Sequence, residues 1–233
     1  MPEYERETWR LRLTGALSGK NPGPQSLELS LDGLLALPQR ELVCDIHCVT
    51  RWSKFDTSWR GVHLADLLDH YGVRPAGQFV MAHADHDYET NLPLAELLRP
   101  DSLLATHYAG EPLTPVHGWP LRLVIAGRYF WKSAKWLREL EFSDTDRPGF
   151  WERNGFHNEA DPFREERFSG AALDIPEDEW TRKASTEGMH CCPGNTGRCC
   201  LANTVTGYNQ SIFYSFKSIL PLARMTPSPS GQG

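Results

Sequence analysis

Cys48 is a cysteine in cationic surroundings, which makes it a candidate for chemistry. It ends an alternating apolar stretch, and its neighbours include His47, Thr50 and Arg51. A lone cysteine is more often a small buried apolar residue, and Cys44 fits that description. Cationic neighbours, in contrast, lower the pKa of a thiol and favour the thiolate, which attacks or binds metals. Because we expect His47 to point to the opposite face of the strand, a soft metal is favoured over nucleophilic catalysis.

Residues 113–138 are a second candidate site, because they are cationic in a chain of formal net charge −6. Aromatic residues interleave with the charges, which indicates partial burial, although an exposed face with long solvated side chains remains an alternative. Buried cations need anionic partners, and a phosphate or pyrophosphate bound to arginine and backbone amides would supply them. The segment contains no Asp or Glu, and its basic residues are Arg122, Arg128, Lys132, Lys135 and Arg138.

Six short motifs follow one another between residues 9 and 167. They are Cys48-Val49-x-x-Trp52-Ser53, Trp59-x-Gly61-Val62, Asn91-Leu92-Pro93, His117-Gly118-x-Pro120-Leu121-Arg122-Leu123-Val124, Lys132-Ser133-x-Lys135-Trp136-Leu137 and Gly149-Phe150-Trp151-Glu152. Each motif is unspecific alone, but their order and spacing together are specific. In these motifs the chain resembles the sulfite oxidase-type molybdopterin oxidoreductases, and most closely their short, single-domain bacterial members.

The resemblance implies that the cofactor is molybdopterin with molybdenum and that Cys48 is the one protein sulfur on the metal. It also implies a set of further cofactor contacts, several of them to the phosphate of the pterin. Charge and placement suggest in addition that Arg51 or Arg128 holds an anionic substrate near Cys48. The residues that match cofactor contacts of the family are His83, His117, Arg122, Ser133, Ala134 and Lys135.

The activity that the resemblance implies is two-electron oxygen-atom transfer on a small oxyanion such as sulfite, or in reverse on a sulfoxide-type substrate. No haem domain is recognisable, so we expect a small-molecule substrate and a separate electron-transfer partner. Two departures from the family pattern keep a non-catalytic molybdopterin-binding protein open as an alternative. The usual Asp-Gly-Tyr is replaced by Asp85-His86-Asp87-Tyr88, and an Asn-containing segment before the first strand is not seen.

Short strands and short helices alternate irregularly, which predicts an α+β fold with mixed sheets, as in the sulfite oxidase-type molybdopterin-binding fold. Alternation predicts a strand over residues 41–49, so that Cys48 lies where a strand meets a loop. Helical spacing predicts a helix over residues 62–71, ended by Gly72. A buried strand is predicted over residues 121–125.

The character of the chain changes near residue 168. We expect a molybdopterin-binding oxidoreductase domain over residues 1–168 and a poorly patterned, partly disordered extension over residues 169–233. The extension contains a cluster of thiols and one imidazole, which leaves a cysteine-based redox or zinc-binding module as a third possibility. The residues concerned are His190, Cys191, Cys192, Cys199 and Cys200.

Bulk properties narrow the class of partner. The net negative charge argues against nucleic-acid binding. No apolar run approaches the roughly 20 residues of a membrane-spanning helix. The acidic, polar N-terminus shows no export signal, so we expect a cytoplasmic protein without a membrane span.

Overall fold

The computed structural model describes residues 2–19 and 26–169, and these ranges contain strands and helices that are all short. The mixture confirms the predicted α+β class. The helices are α1 (Leu31–Leu35), α2 (Leu64–Tyr71), α3 (Leu94–Leu97) and α4 (Phe150–Arg153), with single 3-10 turns at Pro115–His117 and Phe130–Lys132. The strands are β1 (Arg10–Gly15), β2 (Leu17–Gly19), β3 (Leu27–Ser30), β4 (Arg40–His47), β5 (Ser53–Val62), β6 (Val73–Pro75), β7 (Phe79–Ala84), β8 (Tyr88–Pro93), β9 (Ser102–Tyr108), β10 (Glu111–Pro112), β11 (Arg122–Ile125) and β12 (Leu137–Ser143).

The first sheet has the strand order β3-β1-β12-β7-β8. β1 and β12 pair in parallel, with Arg12 opposite Glu139, and the other neighbours pair antiparallel. Leu11 and Leu13 of β1 are buried, so one face of this sheet covers the larger hydrophobic core. Strands β2 and β6 form a separate two-stranded ribbon.

The second sheet carries both candidate sites. Its order is β10-β9-β5-β4, and β11 also pairs with β9. β4 leads directly into Cys48, and β11 begins at Arg122. A smaller apolar cluster lies against this sheet, so the strands that present the two sites share one rigid support. The buried members of that cluster are Trp59, Leu103, Ala105, Leu113 and Val124.

Helix α2 forms where the local sequence predicts a helix. Its apolar face buries Leu64, Leu67 and Leu68, and the helix ends at Gly72 in the left-handed conformation, as predicted. The predicted strand over residues 121–125 also forms, as β11. No helix in the described part of the chain is long and apolar enough to cross a membrane.

Strand β4 differs from its prediction at its C-terminal end. The register with β5 shifts between Cys44 and Ile46, and the strand ends at His47 instead of continuing to residue 49. Such an irregularity changes which face each later side chain occupies. Cys48 therefore belongs to the turn after the strand.

Candidate functional site

Cys48 opens a tight turn that its own backbone closes. The Cys48 amide donates to the carbonyl of Trp52 at 2.9 Å, and the Arg51 amide donates to the carbonyl of Cys48 at 3.1 Å. Arg51 has a φ of 67°, the left-handed conformation that such a turn demands. The sulfur lies 3.0 Å from Oγ1 of Thr50. The turn thus fixes both the backbone and the side chain of Cys48.

The Cys48 thiol is not acidified, contrary to the expectation from sequence. Burial raises its pKa, and the hydrogen bond with Thr50 and the charge of Arg167 lower it by less. Counting cationic neighbours in the sequence omitted the desolvation, which is the larger effect. Free Cys48 is therefore a protonated thiol at neutral pH, and a bound metal would have to displace that proton.

A cavity of about 220 Å³ opens beside Cys48. His47 lines it together with Cys48, so the expectation that His47 points away is wrong, because the strand is irregular just before it. Arg51, which we expected near Cys48 as a substrate-holding residue, also lines it. Tyr129 and Arg167 are also part of the wall. Basic and aromatic residues therefore predominate around the cavity that Cys48 lines.

Arg122 is the centre of the predicted cationic segment, and it is 2% exposed. Its guanidinium donates to the carbonyls of His117 at 3.1 Å and Ser133 at 3.0 Å. The charge lies 5.0 Å from the ring of Trp59 and 4.5 Å from that of Phe130. Within the described ranges no carboxylate forms an ion pair with it. Burial lowers its pKa to about 9, so Arg122 is a buried cation to which the described residues offer no carboxylate partner.

Three further basic groups surround Arg122. Burial, then the charge of Arg122, lowers the pKa of Lys135 to about 8. The pKa of His117 is lowered by burial and by the charges of Arg122, Lys135 and Lys54. Lys54 also donates to the hydroxyl of Tyr108, whose ring lies 5.0 Å from that of His117. Positive groups that lower the pKa values of their neighbours in this way mark a preformed site for an anion.

The loop of residues 133–135 is fixed against β11. Ser133 accepts a hydrogen bond from the Ile125 amide on its side-chain oxygen at 3.0 Å, and Ala134 accepts one from the Leu123 amide on its carbonyl at 2.8 Å. Lys135 packs on Gly118, where an added Cβ would stand 2.9 Å from the Cβ of Lys135. His117, Arg122 and this loop therefore come together as predicted, and we call them the cradle.

Two of the predicted site residues lie elsewhere. Arg128 pairs with Glu96 at 2.9 Å, and it does not line the Cys48 cavity. His83 lies between Glu141 at 2.9 Å and Glu89 at 3.3 Å. Carboxylates already occupy both side chains, and Glu96 and Glu141 lie 32 and 58 positions from their partners, which a local view of the sequence does not reveal. The structure therefore brings neither of them to the cavity or the cradle.

Lys132, another cation of the segment, is neutralised inside the protein. Its ammonium lies 2.7 Å from a carboxylate oxygen of Glu152, and the two side chains are 1% and 2% exposed. It also donates to the backbone carbonyl of Asn91 at 2.8 Å. Trp131 donates to the same Glu152 oxygen at 3.0 Å. Two further motifs of the sequence, around residues 91 and 152, thus support the loop from behind.

The cavity and the cradle are neighbours. His47 forms a bridge with Tyr129, which walls the cavity, and the next residue, Phe130, stacks on Arg122. Sequence reasoning missed Tyr129 and Arg167, although the dense charge after residue 160 was a signal for the second. In the part of the chain described, no three His, Cys, Asp or Glu side chains group to hold a metal. A metal at Cys48 would need other ligands from a cofactor, and the cradle provides for an anionic one.

A model of the protein family described as "Oxidoreductase molybdopterin binding domain" matches residues 1–151. A relative in Bacillus subtilis, the "Uncharacterized oxidoreductase YuiH", is 45% identical over 170 residues, which cover 72% of this chain and 83% of that protein. The match is thus broad and covers both the cavity cysteine and the cradle.

More distant relatives have specified activities. The mitochondrial sulfite oxidase of Drosophila melanogaster is 27% identical over 67% of this chain and 31% of its own length. The catalytic subunit of the protein-methionine-sulfoxide reductase MsrP of Campylobacter jejuni is 25% identical over 64% of this chain and 54% of its own length. The chain therefore spans about a third to a half of these two proteins.

The fold is shared with a solved structure. The sulfane dehydrogenase SoxCD from Paracoccus pantotrophus superimposes with a TM-score of 0.55 at 22% identity, over 66% of this chain and 42% of that one. This likeness confirms the predicted fold. The buried cation of Arg122, unpaired by any carboxylate within residues 2–19 and 26–169, lies beside a cavity cysteine and fits a cofactor with a phosphate and a sulfur-binding metal. The chain belongs to the oxidoreductase molybdopterin-binding domain family, of the sulfite oxidase type, and is a molybdenum–molybdopterin oxidoreductase as its sequence predicts.

Proposed function

We propose that this protein transfers an oxygen atom in a two-electron reaction on a small oxyanion or a sulfoxide-type substrate. One observation carries the proposal: Arg122, a buried cation that pairs with no carboxylate of the described residues, lies next to a cavity lined by a single cysteine. The named activities of the sulfite oxidase and sulfoxide reductase relatives support the substrate classes.

The roles of the residues follow from their contacts. Cys48 supplies the sulfur ligand, held by Thr50 and by the closed turn. Arg122 and Lys135 hold the phosphate of the pterin, with His117 beside them, and the carbonyl contacts of Arg122 keep its guanidinium in place before the cofactor arrives. When bound, the cofactor supplies the two-electron chemistry.

The substrate side of the site is the Cys48 cavity. Arg51 lines it, and we assign to it the attraction of an anionic substrate. Arg128 does not share this role in our proposal, because Glu96 already binds it. The aromatic wall at Tyr129 keeps water from part of the cavity and so strengthens the field of the cations.

The organisation of the chain is also part of the proposal. We place the catalytic domain in residues 1–168. A separate electron-transfer partner accepts or supplies the electrons. We propose a cytoplasmic location, which is supported by the two free cysteines of the described domain, Cys44 and Cys48, since reducing compartments keep thiols reduced.

The decisive experiment is metal and pterin analysis of protein from a molybdenum-replete host. Wild-type protein should contain about one molybdenum and one pterin for each chain. Cys48→Ala should lose the metal, whereas the matched control Cys44→Ala, four residues earlier in the strand that leads to Cys48, should keep it. Retention of molybdenum by the Cys48 variant would remove Cys48 as the ligand.

A second experiment separates an enzyme from a non-catalytic binding protein. Sulfite should reduce the bound metal, or a sulfoxide should reoxidise it, and the faster of the two reactions gives the direction. A metal that responds to neither substrate class would favour the binding protein. The cysteines of residues 190–200 lie outside the described residues, and a chain shortened to residue 169 should still bind the cofactor if they are not part of the site.

A further inference from the structure

Residues 161–169 follow the end of the family match at residue 151, yet they wall the Cys48 cavity. Pro162, Phe163, Glu165 and Arg167 line it on this side. This wall therefore lies beyond the residues that the family model matches. Of the four, Arg167 carries a charge on a side chain that is only 15% exposed.

The Arg167 guanidinium grips the backbone of the Cys48 turn. One of its nitrogens donates to the carbonyl of Cys48 at 3.2 Å and to that of Val49. The same Cys48 carbonyl accepts the Arg51 amide that closes the turn. Arg167 thus crosslinks the first two residues of the turn to a segment 119 positions away.

These bonds are the main partners of a largely buried charge. Glu165 also pairs with Arg167, at 2.7 Å, but its side chain is 68% exposed, and such pairs contribute little. The ring of Tyr129 lies 4.8 Å from the guanidinium carbon. Because most of its hydrogen bonds go to two adjacent carbonyls, Arg167 holds that stretch of backbone in place.

The backbone at Arg167 is itself held in place. Its carbonyl accepts the His157 amide at 3.1 Å, and Phe156 bridges to Phe168. Tyr129 is held in turn by its amide, which donates to the carbonyl of Ala160 at 2.7 Å. Rigid supports on both sides allow Arg167 to fix a position and not merely to fill space.

We propose that Arg167 is a positioning residue, which holds the Cys48 turn so that its sulfur points at the metal. The inference rests on the proposed function, in which Cys48 is the metal ligand. Arg167 touches neither the metal nor the substrate in this assignment, and it acts through the two carbonyls. It adds to the cofactor site a support that lies outside the matched family region.

The test compares Arg167→Ala and Arg167→Lys with the control Arg164→Ala in the full chain. Arg164 belongs to the same segment, but its side chain is 72% exposed and pairs with Glu166. Two readouts are needed: amide hydrogen exchange of residues 48–52, and the electron paramagnetic resonance spectrum of the one-electron-reduced metal. Thermal unfolding confirms that each variant is folded.

Loss of Arg167 should speed exchange of the Cys48 and Arg51 amides about tenfold, since it removes charge-assisted bonds from the turn. The metal spectrum should shift or broaden, and the molybdenum content should stay above that of Cys48→Ala. Arg167→Lys should recover part of both effects, and Arg164→Ala should match wild type. Wild-type exchange and spectrum in Arg167→Ala would overturn the inference.

Amide hydrogen exchange can be measured without the metal. It therefore distinguishes failure of the proposed function from failure of the positioning role of Arg167. If wild-type protein bound no molybdenum, the proposed function would fail. The exchange of residues 48–52 in the cofactor-free chain would still report whether Arg167 holds the turn. Unchanged exchange in folded Arg167→Ala would refute the positioning role even in a protein that binds molybdenum fully.

Discussion

Replacing Arg122 by Met should make the cofactor-free protein more stable while it destroys the anion site. Burial lowers the pKa of Arg122 to about 9, more than three pH units below that of an arginine in water. Arginine stays protonated at neutral pH, so the folded protein carries this cost in full at pH 7. At about 1.4 kcal/mol for each pH unit, the cost is about 5 kcal/mol.

Replacing Arg122 removes this cost and so stabilises the folded protein. Part of that stabilisation is lost again, because Met cannot make the hydrogen bonds of Arg122. The carbonyls of His117 and Ser133 would lose their donor, at about 1–1.5 kcal/mol each. The contacts of the guanidinium with the rings of Trp59 and Phe130 would be lost as well, at about 0.5–1 kcal/mol each. The net expectation is therefore stabilisation by about 1 kcal/mol. Arg122 is a base whose pKa is lowered in the folded protein. Its charge therefore destabilises the folded state below about pH 9, and this destabilisation is relieved only above that pH.

Urea unfolding of the cofactor-free protein, followed by tryptophan fluorescence, measures this difference. Arg10→Met is the matched control, because Arg10 also donates to two backbone carbonyls, at 2.6 and 2.7 Å, but its side chain is 37% exposed. The control should change the free energy of unfolding by no more than about 1 kcal/mol.

Phosphate gives the second half of the test. A phosphate concentration ten times its dissociation constant should stabilise wild type by about 1.4 kcal/mol and leave Arg122→Met unchanged. If Arg122→Met were instead less stable than wild type by 1 kcal/mol or more without any anion, or still responded to phosphate, the argument for a cation awaiting a counter-charge would be refuted.

Three more expectations concern the same support and cradle. Glu152→Ala should lower the free energy of unfolding, measured in urea, by about 3–5 kcal/mol, because it leaves the buried ammonium of Lys132 without its carboxylate. The control Arg6→Gln, at an ion pair whose side chains are more than half exposed, should lower it by at most about 1 kcal/mol. The lowered pKa of Lys135, about 8, means that phosphate affinity in calorimetry should fall as pH rises through 8, and that the cofactor-free protein should gain stability over the same range. Gly118→Ala should weaken phosphate binding more than Gly110→Ala does, since both glycines have positive φ but only the first meets Lys135; equal losses would contradict a role of that contact.

Local patterns predicted the parts of the fold that depend on nearby residues. Periodicity located α2 and its glycine stop, and the alternation before Cys48 located β4. The run of cations located Arg122 and the loop of residues 133–135. Each of these follows from one short stretch and its immediate neighbours, so a sequence can contain the whole signal.

The parts that failed depend on contacts across long separations. The carboxylate of Glu96 binds Arg128, although it lies 32 positions earlier. Arg167 reaches Cys48 across 119 positions, and no local pattern connects them. The orientation of His47 was missed because a register shift within β4 cannot be read from alternation alone. Desolvation of the Cys48 thiol likewise depends on what the fold places around it.

The parallel pairing of β1 with β12 has a consequence for how the polypeptide reaches its native state. Arg12 meets its partner strand only at Glu139, so the central pair of the first sheet cannot form until most of the domain has been synthesised. Until then the apolar faces of Leu11 and Leu13 lack their cover, a condition that favours slow assembly and exposes the nascent chain to aggregation. β12 begins two residues after Lys135, so the strand that joins β1 to the rest of the sheet also anchors the loop of residues 133–135.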